Sequence, residues 1–153
     1  MTNVATFQTL RGLQQYLPDG VAAVLEGLMR NLPPDIRLAD NLGLYASNAV
    51  STTAIDIDTT AGAKPIIIIV QSTGTACWVH LHDAQSGSVT AGVDVDFLVP
   101  VAATTGRITA LLCLGDSWDE FWNTGLTITT STATETSAAP ANLPNIWVVY
   151  AGS

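Results

Sequence analysis

Pro65-Ile66-Ile67-Ile68-Ile69-Val70 is the stretch on which the fold turns. After its proline it is an unbroken β-branched run with no polar position. Such side chains are stiff at χ1 and suit a pleated strand, and the missing polar face predicts a central strand buried on both sides. Upstream, Thr53-Ala54-Ile55-Asp56-Ile57-Asp58 alternates, isoleucines on one face and aspartates on the other, as a half-exposed strand does. Downstream, Ser72-Thr73-Gly74-Thr75 turns the chain into Ala76-Cys77-Trp78-Val79-His80-Leu81-His82. There Cys77, Val79 and Leu81 share one face and Trp78, His80 and His82 the other.

Further strands follow at the same short spacing. A Gly/Ser/Thr loop at residues 86–92 leads to Val95-Asp96-Phe97-Leu98-Val99-Pro100-Val101. Arg107 to Leu114, Gly125 to Thr130 and Ile146 to Ala151 read as strands, with a Trp-rich segment at 115–123 and a long exposed loop at 131–142. Strands without intervening helix patterns predict a mainly β chain, a jelly-roll-like antiparallel β-sandwich of about eight strands.

The N-terminal part differs. Phe7, Leu10, Leu13 and Leu17 recur at helical spacing, Pro18-Asp19-Gly20 breaks the pattern, and Asp19 can cap a second helix carrying Val21, Val24, Leu25, Leu28 and Leu32. Pro33-Pro34 stops that helix. The expected division is a helical arm and linker over residues 1–45 and a sandwich domain over 46–153. Helices this short are marginal alone, so their stripes need a partner surface, either the sandwich or a neighbouring molecule. Phe7, Leu10, Leu17, Val24 and Leu28 are candidate interface residues on that ground.

Composition points toward association. Of 153 residues, 48% are hydrophobic and 12% charged, against about 25% charged in an ordinary domain; mean hydropathy is +0.35. Some apolar surface is expected to end against other chains, which predicts a homo-oligomer. A net charge of −8 with five dispersed basic residues, Arg11, Arg30, Arg37, Lys64 and Arg107, argues against nucleic acid as a partner. The apolar run at Ile66 to Val70 is far too short for a membrane helix, and the first residues lack the basic and apolar regions of a secretory signal. Cys77 and Cys113 read as buried free thiols made in a reducing cytoplasm, with a disulfide left open if their strands face each other.

Few residues offer chemistry. His80-x-His82 has a spacing used in some metal sites, with Asp83, Asp94 or Asp96 as nominal further ligands, but histidines on an outer strand face are ordinarily solvated or at an interface. Asp56-x-Asp58 and Asp94-x-Asp96 lack calcium-loop spacing, and alternating aspartates ordinarily keep a strand face wet. There is no G-x-S-x-G, no H-E-x-x-H and no glycine-rich phosphate loop, and both histidines sit on one strand. No catalytic residue, metal or cofactor is expected. Trp118 and Trp122 share a face whether their segment is strand or helix. They are candidate interface residues, with core packing and a sugar-binding platform as the alternatives.

Trp122-Asn123-Thr124-Gly125-Leu126-Thr127-Ile128-Thr129-Thr130, a Thr/Ala/Pro loop and Ile146-Trp147-Val148-Val149-Tyr150-Ala151 together resemble the closing part of a β-sandwich in tailed-bacteriophage virion proteins. Val79-His80-Leu81-His82-Asp83-Ala84 followed by Phe97-Leu98-Val99-Pro100-Val101 is similar to an earlier segment of the same family. The resemblance runs from about Pro65 onward and leaves out the helical arm. It implies a structural virion component, a capsid cement or decoration protein. The partners implied are the major capsid protein and its own copies in a homotrimer, at the outer capsid surface of particles assembled in the host cytoplasm. The alternatives are a carbohydrate-binding module or a receptor-binding tail or fibre component.

Overall fold

The computed structural model describes residues 6–7, 15, 17–30, 42–113 and 121–152. The described residues form nine strands and one α-helix. They run β1 (Thr6–Phe7), α1 (Asp19–Arg30), β2 (Leu42–Ser47), β3 (Ile55–Asp58), β4 (Lys64–Gln71), β5 (Cys77–His82), β6 (Phe97–Val101), β7 (Ile108–Leu112), β8 (Leu126–Ser131) and β9 (Asn145–Ala151). One sheet has the order β1-β2-β9-β4-β7 and the other β3-β8-β5-β6, with every pairing antiparallel. With the two-residue β1 set aside, eight strands divide four and four in the order of a jelly roll. The sandwich expected from the alternation is the sandwich observed.

The strand pattern explains the layers. Ile68 and Val70 of β4, Ile146 and Val148 of β9 and Tyr45 of β2 face Cys77, Val79 and Leu81 of β5, Val99 and Val101 of β6 and Leu126 and Ile128 of β8 across the sandwich. The alternate residues of the first sheet, among them Leu44, Ile67, Ile69, Trp147 and Val149, form a second cluster with Leu17, Val21 and Leu25. Helix α1 therefore lies on the outer face of that sheet, and β4 is buried on both sides, as its sequence predicts. A bulge between Pro65 and Ile67 places Ile66 and Ile67 together on the helix side.

The N-terminal segment departs from the reading in three places. Phe7 lies in β1, paired with Leu42, and not on a helix. Leu10 and Leu13 of the proposed first stripe, and Leu32, Pro33 and Pro34, lie outside the described residues. Asp19 is the first residue of α1 and not its cap: the Pro18 carbonyl accepts the N–H groups of Val21 and Ala22 at 2.9 and 2.8 Å. Asp19 in the first turn and Arg30 in the last still complement the helix dipole. Strand β2 crosses the expected boundary at residue 45/46. Gly43 within it sits under the Tyr150 ring, which a Cβ at that position would strike.

A twelve-residue helix is marginal in water. Burial of Val21, Leu25 and Leu17 against the sheet holds it, at about 1.5–3 kcal/mol for each fully buried side chain. The exposed Glu26–Arg30 pair at 3.4 Å adds little.

Candidate functional site

The outer face of the second sheet carries a group of buried polar side chains. On β5, Trp78, His80 and His82 point away from the sandwich, and beside them on β8 stand Thr127, Thr129 and Ser131, with His80 opposite Thr129 and His82 opposite Thr127. The histidines occupy the face expected of them but are not solvated: His80 is 0% exposed and His82 1%. Two loops cover them. The link from β5 to β6 brings Gly92 N–H to His80 Nδ1 at 3.1 Å and the Asp94 carbonyl to His82 Nδ1 at 3.2 Å. The loop after β8 is laced onto Ser131, whose hydroxyl donates to the Thr136 carbonyl and accepts from Ala133 and Ala138 N–H at 3.2 and 3.0 Å.

These contacts assign both tautomers. His80 Nδ1 accepts from Gly92, so the neutral ring carries its proton on Nε2, which has no hydrogen-bond partner although the Ala133 backbone is near. His82 donates from Nδ1 to the Asp94 carbonyl and accepts at Nε2 from the Thr129 hydroxyl at 3.0 Å. Burial pushes the His80 pKa down, and neighbouring His82 pushes it further; the Ala133 backbone opposes. Burial also lowers that of His82, opposed by the Asp94 carbonyl and the carboxylates of Asp96 and Asp94. The two rings stand edge to face, 6.2 Å apart.

The aspartates are tied into structure. One oxygen of Asp83 accepts the backbone N–H groups of Asn123, Thr124 and Gly125 at 3.0, 2.7 and 3.2 Å. Asp96 accepts from Asp83 N–H at 2.6 Å. Asp56 accepts from the backbone and hydroxyl of Ser86 at 2.7 and 2.6 Å and from the Thr127 hydroxyl at 2.9 Å. Burial alone would raise the Asp56 pKa, but those hydrogen bonds outweigh it and leave the carboxyl below its ordinary value. Among the described residues, no three His, Cys, Asp or Glu side chains gather as metal ligands.

Among the described residues, the interior holds no acid–base pair. It is filled by aliphatic and aromatic side chains with the thiols of Cys77 and Cys113, both pushed up to about 11 by burial. The cysteines are free and lie at opposite ends of the sandwich: Cys113 N–H bonds the carbonyl of Ile66 near the start of β4, whereas Cys77 follows the turn at its other end. A groove of about 270 Å³ beside the start of α1, between Pro18, Asn48, Asn145 and Trp147, has no ionisable side chain among the described residues that line it.

The candidate interface residues scatter. Leu17 is buried and Leu28 half-buried against the protein's own sheet, and Val24 is half-buried on the same helix. Trp122, 1% exposed, is in the core between the sheets and so is neither a sugar platform nor a surface contact. Trp118 lies outside the described residues. Phe121 beside Trp122 is 44% exposed. No protein-family model, curated protein or solved structure matches the chain.

Proposed function

We propose that this chain is a non-enzymatic structural protein of a tailed-phage virion, a cement or decoration protein that binds the capsid lattice. The observation that carries the reading is the apolar cluster that the described residues form between the two sheets. Jelly rolls serve in viral capsids, lectins and cupins, and here the histidines are on the outer face of a sheet under two loops, not inside the sandwich where a substrate would enter. On this reading the scaffold works through its surface.

The sheet edges support the same reading. Strand β6 carries Pro100, and β3 carries two aspartates with a bulge between them, both devices that discourage further strand pairing. Strand β7, Ile108–Leu112, ends the other sheet with no charge and no proline, and suits lateral contact with a neighbouring chain. As a homotrimer bridging several capsid subunits, the protein would add interface area that must be lost before a shell strained by packaged DNA opens. The acidic chain suits the outer surface, away from DNA.

Co-sedimentation with capsids lacking the protein tests this. Saturable binding without any glycan is the expected result. Failure to bind capsids, together with glycan-array binding, would move the assignment to the carbohydrate-binding class.

A further inference from the structure

The two loops over the second sheet are held from below by a titratable side chain. Gly92 N–H has His80 Nδ1 as its acceptor, and that ring is fully buried, with the Ala133 backbone of the second loop beside it. A second proton on His80 would turn Nδ1 into a donor facing the Gly92 donor, with no anion alongside. His82 differs, because the Thr129 hydroxyl can rotate to accept from a protonated Nε2.

The surrounding charges sharpen the contrast. Asp94 and Asp96, from the β5–β6 link, face His82 and favour its charged form. The charged group that acts on His80 is His82 itself, which opposes a second positive charge; the Ala133 backbone favours that charge, but burial and His82 outweigh it. Asp83 and Asp56 are occupied by residues 123–125, by Ser86 and by Thr127, and Glu135 in the second covering loop is exposed. The loops are also coupled to each other, since Gly92 packs directly on the Thr136 backbone.

We propose that His80 and His82 are an acid-sensitive clasp: protonation of His80 removes the acceptor that holds the β5–β6 link, and both loops lift from β5 and β8. The sign follows from linkage. A histidine buried neutral binds its proton better once the loops are open, so the closed form is favoured above the free-imidazole value of 6.5 and loses ground as the pH falls below it. Opening coupled to one proton grows by up to about tenfold per pH unit in that window.

Hydrogen exchange on the full chain, corrected for intrinsic rates, tests this between about pH 7.5 and about pH 5. The Gly92 amide and residues 131–138 are expected to lose about tenfold or more of their protection toward acid, while β4 and β9 do not. His80→Asn supplies a non-titrating acceptor and is expected to keep the loops closed across the range. Protection that is flat with pH in the unmodified protein overturns the proposal, as does the same pH dependence in H80N. Imidazole NMR of the unmodified protein gives an independent readout: a His80 ring that titrates at or above 6.5 with the loops still closed contradicts the clasp.

Discussion

Gly92 and Thr136 meet backbone to backbone where the two covering loops cross. Gly92 has φ +78°, and a Cβ there would collide with the Thr136 main chain. Gly92→Ala therefore combines a left-handed residue, costing about 1–3 kcal/mol, with a clash that can be relieved only by separating the loops. Urea denaturation should show at least that loss, and proteolysis should begin in residues 86–96 or 131–138.

Helix α1 closes the outer face of the first sheet. Leu25→Ala removes a fully buried side chain and should cost about 2–5 kcal/mol by chemical denaturation. Deleting residues 1–34 would uncover Ile67, Ile69, Trp147 and Val149. The truncated chain should aggregate or bind a hydrophobic dye, whereas an independent arm would leave a well-behaved sandwich.

Asp56 and Asp83 pin loops to strands. Asp83→Ala removes the acceptor of three backbone N–H groups, of which only that of Gly125 is shielded from water, with a cost of about 1 kcal/mol. Asp56→Asn should destabilise in a pH-dependent way. The folded pKa is depressed, so the stabilisation is present above the ordinary 3.8 and is lost as the pH falls through the folded value. Denaturation midpoints of D56N and the unmodified protein should differ at neutral pH and converge in acid.

Much of the sandwich was legible because burial on one face of a strand imposes a period of two. Ile55/Ile57, Cys77/Val79/Leu81 and Leu126/Ile128 point inward as their alternation requires. Strand β2 was missed because Leu42-Gly43-Leu44-Tyr45-Ala46-Ser47 contains small residues of low β propensity, and its glycine is explained only by Tyr150, far along the chain. Phe7 was misread for a related reason: spacing of three and four is also met by chance in a short apolar segment, and pairing with β2 decides its conformation. The site was the least legible part. Alternation placed His80 and His82 on the outer face, but nothing local to them shows that Gly92, Asp94 and the loop laced on Ser131 fold over that face.

The two thiols supply a probe of the fold. Cys77 and Cys113, buried with pKa values pushed to about 11, should react slowly with a disulfide reagent in the native protein and quickly once unfolded. Two thiols per chain should be titrated in denaturant without reductant; a count of zero would mean that the cysteines pair.

Heat stability of particles made without this protein tests the cement role most directly. Such particles should assemble but release DNA at a lower temperature than complete ones, and purified protein added back should restore resistance steeply with concentration, as many weak contacts acting together do. Particles that hold DNA equally well without the protein, yet fail to adsorb to cells, would contradict a cement and point to a receptor-binding tail component.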